Sequence, residues 1–567
     1  MVEGGEMKNS VSDRNLFIES EDEEDDGVDQ GEVRKARPSA AGDDSDGSDL
    51  SSEDGDSAPR SRPGSYSTNW PQSYRQSMDM YGSISSPNIG FLGTPTLSRL
   101  SSSFISSSFR SAKHTPEIVA SLIKPLLPTT VVDQQKQQHV EAETRRSSHS
   151  LLLPSRKPSL AKIQEKASHE FPISKNCSYG QSVFNGINVL CGVGILSTPY
   201  AVKEGGWFGL SILLTFSVLA WYTGILLRYC LDSEEGLETY PDIGQAAFGM
   251  IGRFVISIIL YLELYACCVE YIILERDNLS SLFPNAQLDL GGLHMDSHLF
   301  FAILTTLLVL PTTWLRDLSF LSYLSVAGVI ASVLAVLCLF WVGAFDKVGF
   351  ENTGTPLNLQ GIPISIGIYG YCYNGHAVFP NIYSSLKKPS QFPMILFTCF
   401  AICTMMFVGA AVAGYAMFGE STTSQFTLNM PQNLMASKIA VWTTVVNPIT
   451  KYALTLTPLA MSLEELIPSR HMKTHLYPIM IRTTLVLSTL CVALSIPFFG
   501  LVMALIGSLL TMLVSLILPC VCFLSILRDK VTRIQGLLCI FIITIGAVSS
   551  VCGTISSVSK IIDKLNQ

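Results

Sequence analysis

The sequence predicts an all-α membrane protein of eleven transmembrane helices, arranged as a 5+5 inverted repeat plus one helix, behind a disordered N-terminal tail. Three observations carry this expectation. Beyond residue 176 the chain is a succession of apolar stretches of about 20 residues, enough to cross ~30 Å of hydrocarbon as helices. Charge is divided unequally, with 46 charged groups in residues 1–176 and only 38 in residues 177–567. Interruptions rich in Gly and Pro recur at matching places in the first and sixth stretches.

The whole chain has 567 residues, 48% of them apolar and only 15% charged, with a net charge of −8. Soluble chains average about a quarter charged. A large soluble enzyme is therefore disfavoured, and so is a nucleic-acid partner, which would call for a basic stripe. All 14 cysteines lie at or after Cys177, mostly inside apolar runs, as Cys267, Cys268, Cys399 and Cys403 do. They read as small buried residues. Without a CxxC pair or zinc-spaced Cys/His cluster, no metal and no cofactor is expected. The N-terminus is acidic and has no apolar core, so no cleaved signal peptide is expected.

Residues 1–176 read as an acidic, Ser-rich cytosolic tail, and residues 177–567 as the membrane domain. Residues 1–56 carry 19 acidic and 5 basic groups, and a run such as Glu19 to Asp26 cannot bury itself. Residues 57–176 reverse the sign, with 15 basic and 7 acidic groups. Ser20 and Ser51 precede acids, and Ser147 and Ser148 follow Arg145 and Arg146. Phosphorylation there would release a basic segment from an anionic membrane face, which makes kinases or regulatory proteins candidate partners of the tail; the plain alternative is a solvated linker. Leu151 to Pro154 has the look of part of a dileucine sorting signal but lacks an acid at the usual spacing. The apolar piece Ile118 to Ile123 is too short to span and offers a docking element instead.

The apolar stretches fall at roughly 180–203, 207–230, 250–276, 298–315, 320–345, 361–385, 392–418, 437–463, 477–496, 499–526 and 535–559. Six or seven spans would suit a receptor; eleven suit a transporter. With the tail placed in the cytosol, eleven Lys and Arg residues flank the cytosolic ends (among them Arg253, Arg316, Arg470, Lys473 and Arg482), against six on the far side (including Lys203, Lys347 and Lys560). This asymmetry favours a cytosolic N-terminus, and an odd span count then puts the C-terminus on the opposite side.

The first stretch contains Asn188, Cys191, Gly192, Val193, Gly194 and Pro199; the sixth contains Tyr371, Tyr373, Asn374, Gly375, His376 and Pro380. A shift of 181 positions superposes Gly186 on Gly367, Gly194 on Gly375 and Pro199 on Pro380. Gly costs about 1 kcal/mol and Pro about 3 kcal/mol in a helix interior. Either interruption alone reads as an ordinary kink. Matched interruptions in two oppositely oriented halves point to a midplane transport site. The half-helix after Gly194 would aim unpaired N–H groups at a carboxylate, and freed carbonyls in either break suit an ammonium. A zwitterionic amino acid supplies both, so Asn188, Cys191, Gly192, Val193, Gly194, Tyr371, Tyr373, Asn374 and Gly375 are the candidate substrate residues.

The run from Ser182 to Ala201, centred on Asn188-Val189-Leu190-Cys191-Gly192-Val193-Gly194-Ile195-Leu196-Ser197-Thr198-Pro199-Tyr200, resembles the first span of the amino acid/auxin permease superfamily. Gly375-His376-Ala377-Val378-Phe379-Pro380-Asn381 resembles the vacuolar branch, related to the vesicular inhibitory amino acid carrier, and the long acidic tail is similar to those of its plant members. The resemblance covers about residues 177–567. It implies a LeuT/APC-like inverted-repeat fold, amino-acid substrates and coupling to protons across the membrane of an acidic vacuole. It leaves the substrate and the direction of transport open.

Charges inside a membrane cost roughly 2.5–3.5 kcal/mol at the bilayer centre on insertion scales and so ask for a reason. Glu263 and Glu270 lie seven residues apart in the third stretch, on one helix face. Each suits a proton carrier or a structural hydrogen bond. His376 follows the second break and carries an imidazole, which ordinarily titrates near 6.5. It suits a proton role, a substrate contact or a bond to a freed carbonyl. Lys451, between Pro448 and Pro458, would pair with Glu263 or another carboxylate, or take the place a sodium ion occupies in sodium-coupled relatives of the architecture. Glu464 and Glu465 read as interfacial, and the Asn278 sequon as too close to the membrane for use.

The leading expectation is a proton-coupled secondary transporter of mainly neutral amino acids in the vacuolar membrane, acting by antiport into the lumen. The alternatives are symport that exports amino acids, and a non-transporting sensor acting through the tail. No nucleophile–base set or phosphate loop is present to support an enzyme.

Overall fold

A computed structural model describes residues 70–82, 177–290, 293–315, 319–346, 348–467 and 476–567. Ser20, Ser51, Ser147, Ser148, Ile118 to Ile123, Leu151 to Pro154, Arg316, Lys347, Arg470 and Lys473 lie outside the described residues, as does the unit Met1–Pro63.

One segment inside the expected tail is folded. Trp70 to Gly82 contains helix α1 (Tyr74–Gly82), which packs against the membrane domain with Tyr74 and Met78 almost wholly buried. The expectation of disorder is corrected for these residues. Tyr74 and Met78, four residues apart, share one face of α1, and Trp70 precedes the helix at the same spacing.

The rest of the described chain is helical apart from a short hairpin of β1 (Leu288–Leu290) and β2 (Leu293–Met295). The helices fall where the apolar stretches put them. Helix α2 (Tyr179–Leu190) stops at Cys191, a 3-10 turn runs through Val193–Ser197, and α3 (Thr198–Gly205) follows with Pro199 in its first turn. The axis bends by 48° across this break. Next come α4 (Gly209–Leu231) and α5 (Tyr240–Leu282). Thr239 and Asp242 form a capping box at the start of α5. A kink at Phe248–Gly249 follows, where Gly249 takes φ +67°, a conformation that glycine adopts at little cost.

Helices α6 (Ser297–Thr313) and α7 (Ser319–Ala344) precede the second interrupted element, α8 (Ile362–Cys372) and α9 (Phe379–Ser385). The 181-residue shift also carries Thr198 onto Phe379, so both second half-helices begin at corresponding positions. Then follow α10 (Phe392–Phe418), the single turn α11 (Phe426–Asn429), α12 (Met435–Glu465) and α13 (Leu476–Ser495). Helix α14 (Phe499–Ile506) passes through two π-helical stretches, Gly507–Thr511 and Leu513–Ile517, into α15 (Leu518–Ile526). Helix α16 (Arg533–Leu565) has 33 residues and a capping box of Thr532 and Gln535.

Six described helices are long and apolar enough to cross a membrane, and the bent pair α2 and α3 makes a seventh if it is one span. Helices α6 and α8 and the part Gly328–Ala344 of α7 are shorter apolar helices. Large apolar side chains such as Ile251, Leu307, Leu337, Met405 and Ile534 stand exposed on the bundle's flanks. Water would penalise that surface, whereas lipid tails accept it. The interior closes through small residues. A methyl on Gly367 would sit 2.2 Å from the Ala504 carbonyl oxygen, and one on Gly507 still closer to that of Gly367. The backbones of α8 and of the chain around α14 thus touch directly, as small-residue packing in membranes permits.

The cysteines are free and mostly buried, although Cys491 and Cys552 are exposed. Asn278 of the sequon is wholly buried, its amide donating to Leu274 O and Gln425 Oε1, so it presents no acceptor surface for a glycan.

Candidate functional site: two facing helix breaks

The two interruptions lie against each other. A methyl on Gly194 would meet Cys372 Cα at 3.3 Å and Tyr371 Cδ1 at 3.4 Å, and one on Gly375 would meet Leu190 Cδ2 at 3.0 Å. Each break thus holds a glycine against the end of the opposite half-helix. Cys372 Sγ lies 3.7 Å from the Gly194 carbonyl oxygen. The N-cap of the 3-10 turn is Gly192, which has no side chain to bond the turn's first amides.

Asn188, Cys191, Gly192, Val193, Gly194, Tyr371 and Lys451 come together here. The ammonium of Lys451, buried in α12, donates to the Asn188 backbone carbonyl at 3.0 Å. It does not pair with Glu263, whose carboxylate accepts instead from Thr511 Oγ1 at 3.0 Å. Of the two sequence readings of Lys451, the pairing with Glu263 is therefore corrected. Beside the first break lies a cavity of about 10 Å³ lined by Gly192, Val193, Ser332, Thr444 and Asn447 among others. That is room for about one water molecule. The break region is packed shut at this point.

Other candidates point elsewhere. Tyr373 shares a hydrogen bond of 3.0 Å with Thr404 Oγ1 and stacks on Phe400, so its ring belongs to the interface with α10. His376 is wholly buried, with Nε2 3.1 Å from the Ala220 carbonyl and 3.0 Å from Thr223 Oγ1, both on α4. A carbonyl only accepts, so Nε2 carries hydrogen and donates. Nδ1 has no hydrogen-bond partner among the described residues. Asn374 is half-buried within the second break, its backbone N–H donating to the Tyr371 carbonyl. Gly375 sits over Phe379 and Leu190.

Glu270 is wholly buried and faces the Tyr371 hydroxyl, without a hydrogen bond of ordinary geometry among the described residues. Tyr371 also touches Cys267 Sγ at 3.6 Å. Glu270 therefore stands behind Tyr371, the residue that packs on Gly194. Glu263 lies two turns away on the same helix, against the first π-helical stretch, a distortion often found at functional sites.

Sequence reasoning missed two groups here. Glu275, within the third apolar stretch, is buried, and neither carboxylate oxygen has a hydrogen-bond partner among the described residues. The signal was present, since it is a third acid in an otherwise apolar run. Thr511, the donor to Glu263, gave no signal, because a threonine in an apolar stretch is unremarkable until the fold brings it to a carboxylate.

A bundle of membrane-length helices packed around two facing breaks defines a multi-pass membrane protein. A family model described as transmembrane amino acid transporter protein matches residues 175–559, and the chain belongs to this family. It is thus a member of a transporter family and not an enzyme. It is 61% identical to the amino acid transporter AVT1C of Arabidopsis thaliana over 99% of this chain and 100% of that one. It is 60% identical to amino acid transporter AVT1B of the same plant, again over 99% and 100%. Amino acid transporter ANT1, also from Arabidopsis thaliana, is 26% identical over 67% of this chain and 91% of its own.

Proposed function

We propose that the protein is a proton-coupled secondary transporter of mainly neutral amino acids, moving them by antiport into the vacuolar lumen. The observation that carries this reading is the reciprocal packing of the two breaks, Gly194 on Cys372 and Gly375 on Leu190. Uncapped amides of the 3-10 turn suit a carboxylate, and carbonyls freed by the breaks suit an ammonium. The side chains gathered at the first break are uncharged except for Lys451, which is engaged with Asn188. A zwitterion with a neutral side chain therefore fits best. The similarity to the plant amino acid transporters AVT1C and AVT1B supports the substrate class.

Eleven spans are part of the same reading. They comprise the seven long elements, the three shorter apolar ones and α12. Lys560 near the end of α16 pairs with Glu204 at the end of α3, far from the start of α2, which supports termini on opposite sides: cytosolic N-terminus, luminal C-terminus. The near-identical starts of α3 and α9 under one shift support the inverted repeat.

In this mechanism Lys451 holds the first break where a sodium ion would sit in sodium-coupled architectures. Glu270 takes up the luminal proton and transmits its charge to the break through Tyr371, with Glu263 as the second carboxylate on that face. His376 positions the second break against α4.

The test uses purified protein in liposomes, acid inside and neutral outside, with labelled neutral amino acids. Accumulation that collapses with a protonophore is expected. Uptake only under the reversed gradient would mean symport and export from the vacuole, and binding without flux under either gradient would mean a sensor.

A further inference from the structure

The segment Trp70–Gly82 is bound as a peptide ligand would be. Its polypeptide runs across the end of the bundle that carries the start of α2 and the end of α12, and its contacts are made by backbone as well as side chains. Glu465, the last residue of α12, accepts from the amides of Gln72 and Ser73, just before α1 begins. It thereby caps α1 from another helix and sets a negative charge at its N-terminus. Arg253 donates to the carbonyls of Trp70 at 3.2 Å and Pro71 at 3.3 Å. Asn381 of α9 donates to the Arg75 carbonyl at 3.3 Å and the Asp79 carboxylate at 3.0 Å. Arg75 is ion-paired with Glu238.

The apolar face goes inward. Trp70 packs on Phe254 and Tyr261, and its indole N–H donates to the Ser462 carbonyl. Tyr74, 1% exposed, reaches the Ala377 carbonyl in the second break, two residues from Gly375. Met78 is 0% exposed. The segment packs against α2, α7, α9 and α12 together. Helix α2 is the half-helix before the first break and α9 the half-helix after the second, whereas α7 and α12 are neighbouring helices outside the two broken elements.

We propose that this end of the bundle is a peptide-binding cradle and that residues 70–82 are its ligand, a lock that ties both half-helices to α7 and α12 and keeps the cytosolic mouth shut. Any movement that opens the mouth must separate α2 and α9 from α7 and α12, and the docked segment spans that seam. Amino acid flux is therefore limited by its release. The lock rests on the transporter reading for its effect on flux, but not for the docking itself.

The experiment uses the full chain, a variant lacking residues 70–82, and the double variant Tyr74→Ala/Met78→Ala, which keeps the chain length. All three are reconstituted in liposomes. A fluorescent synthetic peptide of residues 70–82 is titrated onto each, and labelled amino acid flux is followed in parallel. Saturable binding of the peptide to the deletion variant and several-fold weaker binding to the full chain are expected. Flux at least threefold faster in both variants, returned to the full-chain rate by the peptide, is expected too. Absence of peptide binding with unchanged flux would overturn the proposal. Slower flux in the variants, restored by the peptide, would overturn it in favour of a structural strut. Peptide binding with no flux in any of the three proteins would uphold the cradle and count instead against the transport reading.

Discussion

Lys451 reaches from the middle of α12 to the backbone carbonyl of Asn188, 3.0 Å away, and so holds the end of the first half-helix of a broken element. A hydrogen bond from a charged group contributes roughly 1.5–3 kcal/mol, and leaving a buried carbonyl without its donor costs a similar amount. Lys451→Met should therefore lower flux roughly ten- to hundredfold, while wild-type flux is equal in sodium and choline buffers. A sodium requirement in the wild type would remove Lys451 from the position assigned to it.

Bulk at the breaks should stop transport without stopping insertion. Gly194→Val and Gly375→Val each force side-chain atoms into a neighbour that already stands within about 3 Å of a single methyl. Flux below a tenth of wild type with normal membrane yield is expected from both. Gly367→Ala should behave differently, because its methyl meets a backbone carbonyl at 2.2 Å. Overpacking of this kind costs about 1–3 kcal/mol, visible as a lower melting temperature of the solubilised protein. Normal flux in both valine variants would displace the site.

Glu270→Gln should reduce proton-driven flux more than amino acid exchange, which needs no net proton movement. Exchange within about twofold of wild type, with gradient-driven uptake down tenfold or more, is the expected pair of results. Equal losses would make Glu270 a structural carboxyl behind Tyr371.

His376→Gln keeps a side-chain amide able to donate to Ala220 and Thr223, whereas His376→Ala does not. The glutamine variant should keep most of the flux with an unchanged pH profile, and the alanine variant should lose it. A flattened pH profile in the glutamine variant would instead make the imidazole a proton carrier.

The proposed orientation is checked with a protease tag placed after Gln567, which should be protected from external protease in sealed vacuoles. Cleavage there would overturn both the orientation and the odd number of spans.

Much of the architecture was legible because membranes leave few choices. A span must satisfy its own backbone, so apolar length alone places most helices. Breaks were legible too, since Gly194, Pro199, Gly375 and Pro380 sit where neither residue type is otherwise favoured. Side-chain direction was not. Tyr371 and Tyr373 lie two residues apart on α8 and its cap, yet one turns to Cys267 and Glu270 and the other to Thr404. Only the neighbouring helices decide that. The docked segment escaped notice for a different reason. Trp70, Tyr74 and Met78 form an apolar stripe, but they are embedded in a region whose average composition is polar, and a stripe without a visible partner carries little weight.

Helix α16 has one more consequence. At 1.5 Å per residue its 33 residues rise about 50 Å, against the ~30 Å of a typical hydrocarbon layer. Only a small share of it is buried against the rest of the bundle, and Lys560 and Lys564 mark its end. A long helix on the rim accommodates thickness by tilting, at fractions of a kcal/mol per ångström of mismatch. Its inner face packs on α8, where Gly553 approaches the Pro363 carbonyl, and Lys560 holds Glu204 at the end of α3, so a tilt that follows bilayer depth is passed to both broken elements.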